Sequence, residues 1–196
     1  MTGPLIYYIR HGETDWNAEM RYQGQKDIPL NQKGRSQAAF NGEKLAGILG
    51  QADGFQFVSS PLCRATETME IVRGKMGLPE SNYVTHHDLI EVSYGKFEGL
   101  TQAEIKAANR ELYYERKNNM WTFRPEGGES HQDILERISN WHSKLDRDGK
   151  YVVTAHGAVG RVVRHLLAGI PKEVVCKFVF PQDKIFVFSG GEEEVL

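Results

Sequence analysis

Two apolar stretches, far apart in the chain, end in the same way. Residues 5–9 (LIYYI) run directly into Arg10, His11, Gly12 and Glu13, and residues 151–155 (YVVTA) run into His156 and Gly157. Short apolar runs of this kind predict buried strands. A strand that delivers a cation or an imidazole at its end, followed by a glycine, places chemistry where open α/β sheets form their sites, at the carboxyl ends of strands.

The remaining patterns supply the other layers of such a sheet. Residues 31–49 predict a helix with Ala38, Leu45, Ala46 and Leu49 on one side, and 54–60 (GFQFVSS) a strand. Pro61 stands where the next helix starts, and 62–76 continue it. Residues 101–117 predict one helix, opened by the capping-box spacing of Thr101 and Glu104. Residues 130–145 carry Ile134, Leu135, Ile138, Trp141 and Leu145 on one stripe. A further helix spans 158–169. Residues 174–180 (VVCKFVF) and 184–189 (KIFVFS) predict two closing strands around Pro181, Gln182 and Asp183. Strands alternating with helices imply a three-layer α/β/α architecture with a mostly parallel central sheet. The expected organisation is a single domain over 1–196, with a lid-like excursion at about 91–129.

Composition narrows the function classes. A net charge of −2 over 196 residues argues against nucleic-acid and membrane-surface partners, so any functional cations must be local. Two cysteines, Cys63 and Cys176, form neither a disulfide framework nor a zinc spacing. No apolar run reaches the ~18–20 residues of a membrane span, and the N-terminus has no signal-peptide pattern. The expectation is a cytoplasmic protein, with monomer and homo-oligomer both open.

Three predicted strand ends carry the chemistry: Arg10-His11, the run Ser59 to Arg64, and His156. If the sheet makes these ends neighbours, two arginines and two histidines converge. Such a cluster calls for an anion, and guanidinium forks match phosphate oxygens. Cys63 beside Arg64 does not make a cysteine phosphatase, because the arginine that chemistry needs six positions on is Met69 here. His86, His87, His131, His142 and His165 match no metal spacing and are assigned to packing or surface.

The motifs together resemble the histidine phosphatase superfamily, also called the phosphoglycerate mutase-like family. The resemblance rests on Arg10 to Thr14 with Trp16-Asn17, on RYQGQKDIPLNQKGRSQA, on SSPLCRATETMEI, on LIEVSYGKFEGLT, on PEGGES and on TAHGA, in that order along nearly the whole chain. It implies a phosphoglycerate mutase-like fold and gives each matching position a role. His11 would take the phosphoryl group as a phosphohistidine, while Gly12 would turn the backbone sharply and set a carbonyl beside the ring. Arg10, Arg64 and His156 would hold the phosphoryl oxygens. Glu91 would act as general acid, then base, in preference to the neighbouring carboxylates Glu13 and Glu98. Asn17, Gln23 and Gly24 would add neutral hydrogen bonds. Glu129 and Ser130 would start a helix beside the site. No step requires a metal or an organic cofactor.

The expected activity is metal-independent hydrolysis of phosphomonoesters on small phosphorylated metabolites. The alternatives are a cofactor-dependent phosphoglycerate mutase, an α-ribazole phosphate phosphatase, or a non-catalytic binder of phosphorylated ligands. The short segment between Glu91 and Gly127 favours hydrolysis, while its Arg110, Arg116, Lys117 and Arg124 are candidates to bind a second charged group on the substrate. Its Tyr113, Tyr114, Met120, Trp121 and Phe123 are assigned to packing.

Overall fold

The computed structural model describes residues 3–196. Its strands are β1 (Leu5–Arg10), β2 (Phe55–Ser59), β3 (Val84–Thr85), β4 (Lys150–Ala155), β5 (Ile185–Ser189) and β6 (Glu192–Val195). Its α-helices are α1 (Asp15–Ala18), α2 (Gln32–Leu49), α3 (Cys63–Lys75), α4 (Gln102–Ala108), α5 (Arg110–Asn118), α6 (His131–Ser143), α7 (Gly157–Ala168) and α8 (Lys172–Lys177). None of the helices among the described residues is long and apolar enough to cross a membrane.

One sheet runs in the order β3-β2-β4-β1-β5-β6, parallel from β3 to β1 and antiparallel at β5 and β6. Alternation along the strands divides the core into two layers. Ile6, Tyr8, Val153 and Ala155 face α6, α7 and α8 through Ile134, Ile138, Val159, Val162 and Val175. Ile9, Phe57, Val152 and Ile185 face α2 and α3 through Leu45, Met69 and Val72. The architecture is therefore the mostly parallel three-layer α/β/α arrangement that the sequence implies.

The register decides what meets at the carboxyl edge. Arg10 pairs with Ala155, and Ser59 with Thr154. The residues one step further, His11, His156 and Ser60, are thereby delivered side by side, although up to 145 positions separate them in sequence.

Two expectations are corrected. Residues 174–180 are not a strand. Lys172–Lys177 form α8 behind Pro171, and the segment after it packs its rings sideways, with Phe180 4.2 Å and Phe178 5.9 Å from Phe186. The closing hairpin is β5–β6 instead. Ser189 pairs with Glu192 across Gly190 and Gly191, whose φ values of 60° and 87° suit a two-residue hairpin turn that disfavours side chains. The second correction concerns 101–117, which is two helices. Asn109 ends α4 and starts α5, and its side chain accepts a bond from the Leu112 N–H at 3.0 Å, which competes with helix continuation. The Thr101–Glu104 capping box is present as expected.

The stretch 91–129 is pinned to the body. Ile105 and Trp121 are buried, the Trp121 ring lies 5.0 Å from that of His165 on α7, and Arg21 bonds both the Gly99 carbonyl and Glu104. Its Glu91, Tyr94 and Gln102 share one cleft with Arg10 and His11 at the end of β1.

Candidate active site

His11 extends β1 by one step, its N–H donating to the Ala155 carbonyl at 2.9 Å. The ring is buried, and Nδ1 lies 2.7 Å from the Gly12 carbonyl. A carbonyl only accepts, so Nδ1 carries the proton and Nε2 keeps its lone pair. Burial, then the charges of Arg64 and Arg10, hold the His11 pKa well below 6.5. The ring is thus neutral and of fixed tautomer, with an available lone pair on Nε2.

Gly12 accounts for a close approach, not for a sharp turn. It does not occupy the positive-φ region. A Cβ on Gly12 would lie 2.2 Å from the Gly34 carbonyl oxygen, and one on Gly34 would lie 2.1 Å from the Glu13 oxygen. The His11 loop therefore rests backbone to backbone on the first turn of α2. Gly34→Ala is expected to cost about 3 kcal/mol in urea unfolding and to lower turnover as well, since the only relief is to move that loop.

His156 follows β4 and precedes α7. Tyr8 holds its backbone twice, donating from the hydroxyl to the His156 carbonyl at 2.6 Å and accepting from its N–H at 3.1 Å. Nε2 meets the Ser60 hydroxyl at 2.7 Å, whereas Nδ1 is buried without a hydrogen-bond partner among the described residues. Its ring centroid lies 5.1 Å from that of His11. Burial, then Arg64 and His11, hold its pKa well below 6.5.

Arg64 sits in the first turn of α3 and is fully buried. Its Nη1 and Nη2 donate to the carbonyls of Lys26 and Gly24, both at 2.7 Å, which fixes the guanidinium against the Gln23-Gly24 loop. Arg10 donates from Nη1 to the Phe180 carbonyl at 2.6 Å. Burial lowers the Arg10 pKa to about 10, so it remains a cation at neutral pH. The Nε groups of both arginines are buried and have no hydrogen-bond partner among the described residues, and the same holds for Gln23 Oε1. Asn17 Oδ1 accepts from the Thr14 N–H and from Gln182, which leaves its Nδ2 as a donor.

Glu91 is the carboxylate brought to this cluster. Its Oε2 accepts from the Ala158 N–H at 3.3 Å in the first turn of α7, and Oε1 accepts from Val92 N–H at 3.0 Å. Glu13 is held instead by Lys33 and Asn31, and Glu98 bonds the N–H groups of Gln25 and Tyr94. Glu129 accepts from the Ser93 N–H and pairs with Arg137, and Ser130 caps α6. Arg10, His11, Asn17, Gln23, Gly24, Arg64 and Glu91 all line one cleft of about 290 Å³, with His156 behind His11.

Other residues at or near the cleft have no role in the sequence expectation. Arg161 lines the cleft one helical turn after Gly157, so the i, i+4 rule on α7 finds it. Tyr22 and Tyr94 become neighbours only in the fold, with ring centroids 4.7 Å apart. Gln182, expected in a turn, donates to the His11 carbonyl at 3.2 Å. Of the candidate cations, Arg124 pairs with Asp133, Arg110 lies near Tyr114, and Lys117 lines a separate cavity. Arg116 alone of the four lies against the cleft wall, 4.7 Å above the Tyr22 ring.

Three buried rings give the apo protein a pH signature. Burial depresses His11, His156 and also His131, the last to about 3. Unfolded, each ring takes up a proton as the pH falls through 6.5; folded, it does not. Stability is therefore complete above that value and is lost progressively below it, and for His131, held at about 3, the loss is about 2 kcal/mol near pH 5. Urea midpoints should fall on going from pH 7 to 5, and a flat profile would mean that the rings protonate in place.

The described residues contain no cluster of three metal-ligating side chains. The cluster they do form is a buried neutral imidazole, flanked by cationic and N–H donors and one carboxylate. It can bind a tetrahedral oxyanion and move its central atom to nitrogen.

Comparison with known proteins shows the family of the chain. The family model described as histidine phosphatase superfamily (branch 1) matches residues 6–194. A 2,3-bisphosphoglycerate-dependent phosphoglycerate mutase of Beijerinckia indica is 31% identical over 182 residues, covering 87% of this chain and 84% of that protein. A sedoheptulose 1,7-bisphosphatase of Saccharomyces cerevisiae is 29% identical, covering 90% and 72%. A solved mycobacterial glucosyl-3-phosphoglycerate phosphatase, in complex with VO3, superposes with a TM-score of 0.79 at 27% identity, covering 98% and 96%.

Proposed function

Because the chain belongs to the histidine phosphatase superfamily and is a phosphoglycerate mutase-like enzyme of it, we propose that it hydrolyses phosphomonoesters of small metabolites through a phosphohistidine on His11. The observation that carries this is the pairing of a lone pair with waiting donors. Nε2 of His11 keeps its lone pair because Nδ1 is committed to Gly12, and the Nε groups of Arg10 and Arg64, which line the same cleft, are buried with no hydrogen-bond partner among the described residues. Unpartnered buried polar groups of this kind are costly, and a bound phosphoryl group satisfies them.

In the first step, the Nε2 lone pair forms the N–P bond as the bond to the leaving oxygen breaks. The arginines take up the charge on the equatorial oxygens, which is where phosphoryl transfer needs stabilisation. Glu91 gives its proton to the leaving oxygen. In the second step, Glu91 takes a proton from water, whose oxygen attacks phosphorus as the N–P bond breaks. Phosphate leaves and His11 is regenerated. Hydrolysis is favoured over mutase action by the open mouth, where Met20 and Val179 on the cleft rim are 79% and 78% exposed. Water reaches an open site, and the default fate of the phosphoenzyme is then hydrolysis.

Steady phosphate release from p-nitrophenyl phosphate, with an acid-labile phosphoenzyme trapped by rapid quench, tests the proposal. Interconversion of 3- and 2-phosphoglycerate faster than phosphate release, stimulated by 2,3-bisphosphoglycerate, would reassign the chain to the mutases. Positive charge comes from Arg10 and Arg64, so EDTA should leave kcat/KM within about twofold, and vanadate should inhibit. Activity lost to chelation and restored by a divalent ion would contradict this account.

A further inference from the structure

A second cavity, of about 570 Å³, lies at the amino end of β2 and shares no residue with the catalytic cleft. Helix α3 reaches both, the cleft through Arg64 in its first turn and this cavity through Arg73 in its last. Phe55, Phe57 and Tyr83 give the cavity apolar rings, and Arg73 gives it a charge. Arg73 is only 3% exposed, and its guanidinium carbon lies 4.3 Å from the Phe57 ring centroid. Its Nε donates to the Pro79 carbonyl at 2.8 Å, which pins the turn after α3. Pinning that turn takes one N–H. Among the described residues neither Nη has a hydrogen-bond partner, and the guanidinium pairs with no carboxylate. Glu70 is committed to the Tyr83 hydroxyl at 2.9 Å, and Asp53 lines the cavity without pairing with Arg73. Burial accordingly lowers the Arg73 pKa with no acid to offset it, while burial and Glu70 push Tyr83 up to about 12, so that the ring wall stays neutral. A buried cation is costly unless it is paired, and the Phe57 face compensates only part of it.

We propose that this cavity is a binding site for a small molecule with a flat aromatic ring and one carboxylate, the carboxylate accepting from the Nη groups of Arg73 and the ring packing against Phe55 and Tyr83. A guanidinium presents parallel N–H donors that match a carboxylate, and aromatic walls favour a ring over an alkyl chain of the same size. The cavity has the volume of a small-molecule site. Asp53 on its wall opposes a second negative charge, so the ligand is a monoanion and differs in kind from the phosphate esters proposed for the cleft. The site stands apart from the hydrolase reading, since none of its residues takes part in that chemistry.

Calorimetry with 2-naphthoate, its neutral amide 2-naphthamide, and acetate tests the proposal, because one analogue lacks the charge and the other the ring. A charge-assisted bond to a buried guanidinium is worth about tenfold or more in affinity. The wild type should bind 2-naphthoate at least that much more tightly than either analogue. Arg73→Met should abolish the preference for naphthoate over naphthamide. Asn82→Asp, at an exposed position on the cavity wall, should weaken naphthoate several-fold by like-charge repulsion and leave naphthamide unchanged. It decides the matter if Arg73→Met does not fold. Arg161→Gln, which removes a cation from the catalytic cleft, should leave all three affinities as in the wild type. Equal affinities for naphthoate and naphthamide in the wild type would overturn the proposal, as would acetate binding as tightly as naphthoate. A preference that survives Arg73→Met and Asn82→Asp but is lost in Arg161→Gln would place the ligand in the cleft and overturn it too. Failure to hydrolyse p-nitrophenyl phosphate would strike the hydrolase reading alone and leave this binding result standing.

Discussion

His11→Ala should lower kcat by roughly 10⁴-fold or more while leaving the protein folded, on the scale seen when a nucleophile that works as part of a unit is removed. The expected loss is large because the other groups position and stabilise but do not form a bond. Arg10, Arg64 and His156 keep their own anchors, on Phe180, on Lys26 and Gly24, and on Tyr8 and Ser60, so the phosphate cradle survives the substitution. The variant should therefore still bind vanadate and still unfold cooperatively, but give no phosphoenzyme on acid quench. His11→Gln is the companion variant, filling the space without supplying an imidazole nitrogen. Near-wild-type turnover in either, with the phosphoenzyme still present, would move the nucleophile elsewhere.

Glu91→Gln should separate substrates by their leaving groups. The amide oxygen can keep the bond from the Ala158 N–H, so the site stays in place, yet the side chain has no proton to give. A positioned general acid is worth about 10²- to 10⁴-fold, and its value grows with the basicity of the oxygen that departs. Alkyl phosphates should lose activity in that range, while p-nitrophenyl phosphate, whose leaving group is a stable anion, should lose about tenfold or less in its first step. Burst kinetics isolate that step, because the same residue activates water in the second. Equal losses on both substrates would show that Glu91 does not protonate the leaving oxygen. The two experiments are independent, since one removes the bond-forming atom and the other the proton.

What the sequence determined by itself was local. The apolar runs ending in Arg10-His11 and in His156 are strands because short apolar segments bounded by glycine have no better way to bury both faces. The capping boxes at Thr101 and Ser130 and the stripe on α6 follow from contacts three or four residues apart. Those signals implied the layers, and the family resemblance of the motifs named Arg10, His11, Asn17, Gln23, Gly24, Arg64 and Glu91 among the residues that line the cleft. Of the two corrected expectations, one was decided by tertiary packing and the other by a local cap. Residues 174–180 have a strand's composition, yet Phe178 and Phe180 gain more by packing against Phe186 than by joining a ladder. Asn109 divides a helix that its neighbours would have continued. Only the tertiary structure decided that β4 lies between β2 and β1, and with it that His11, His156, Ser60 and Arg64 converge. It also decided that Gly12 is required by the backbone of Gly34, that Glu91 and not Glu13 or Glu98 reaches the cleft, and that Arg161 stands at its mouth. The physical reason is that strand order and register are set by the packing of whole layers. A side chain's partners across the sheet are absent from its own neighbourhood in the chain.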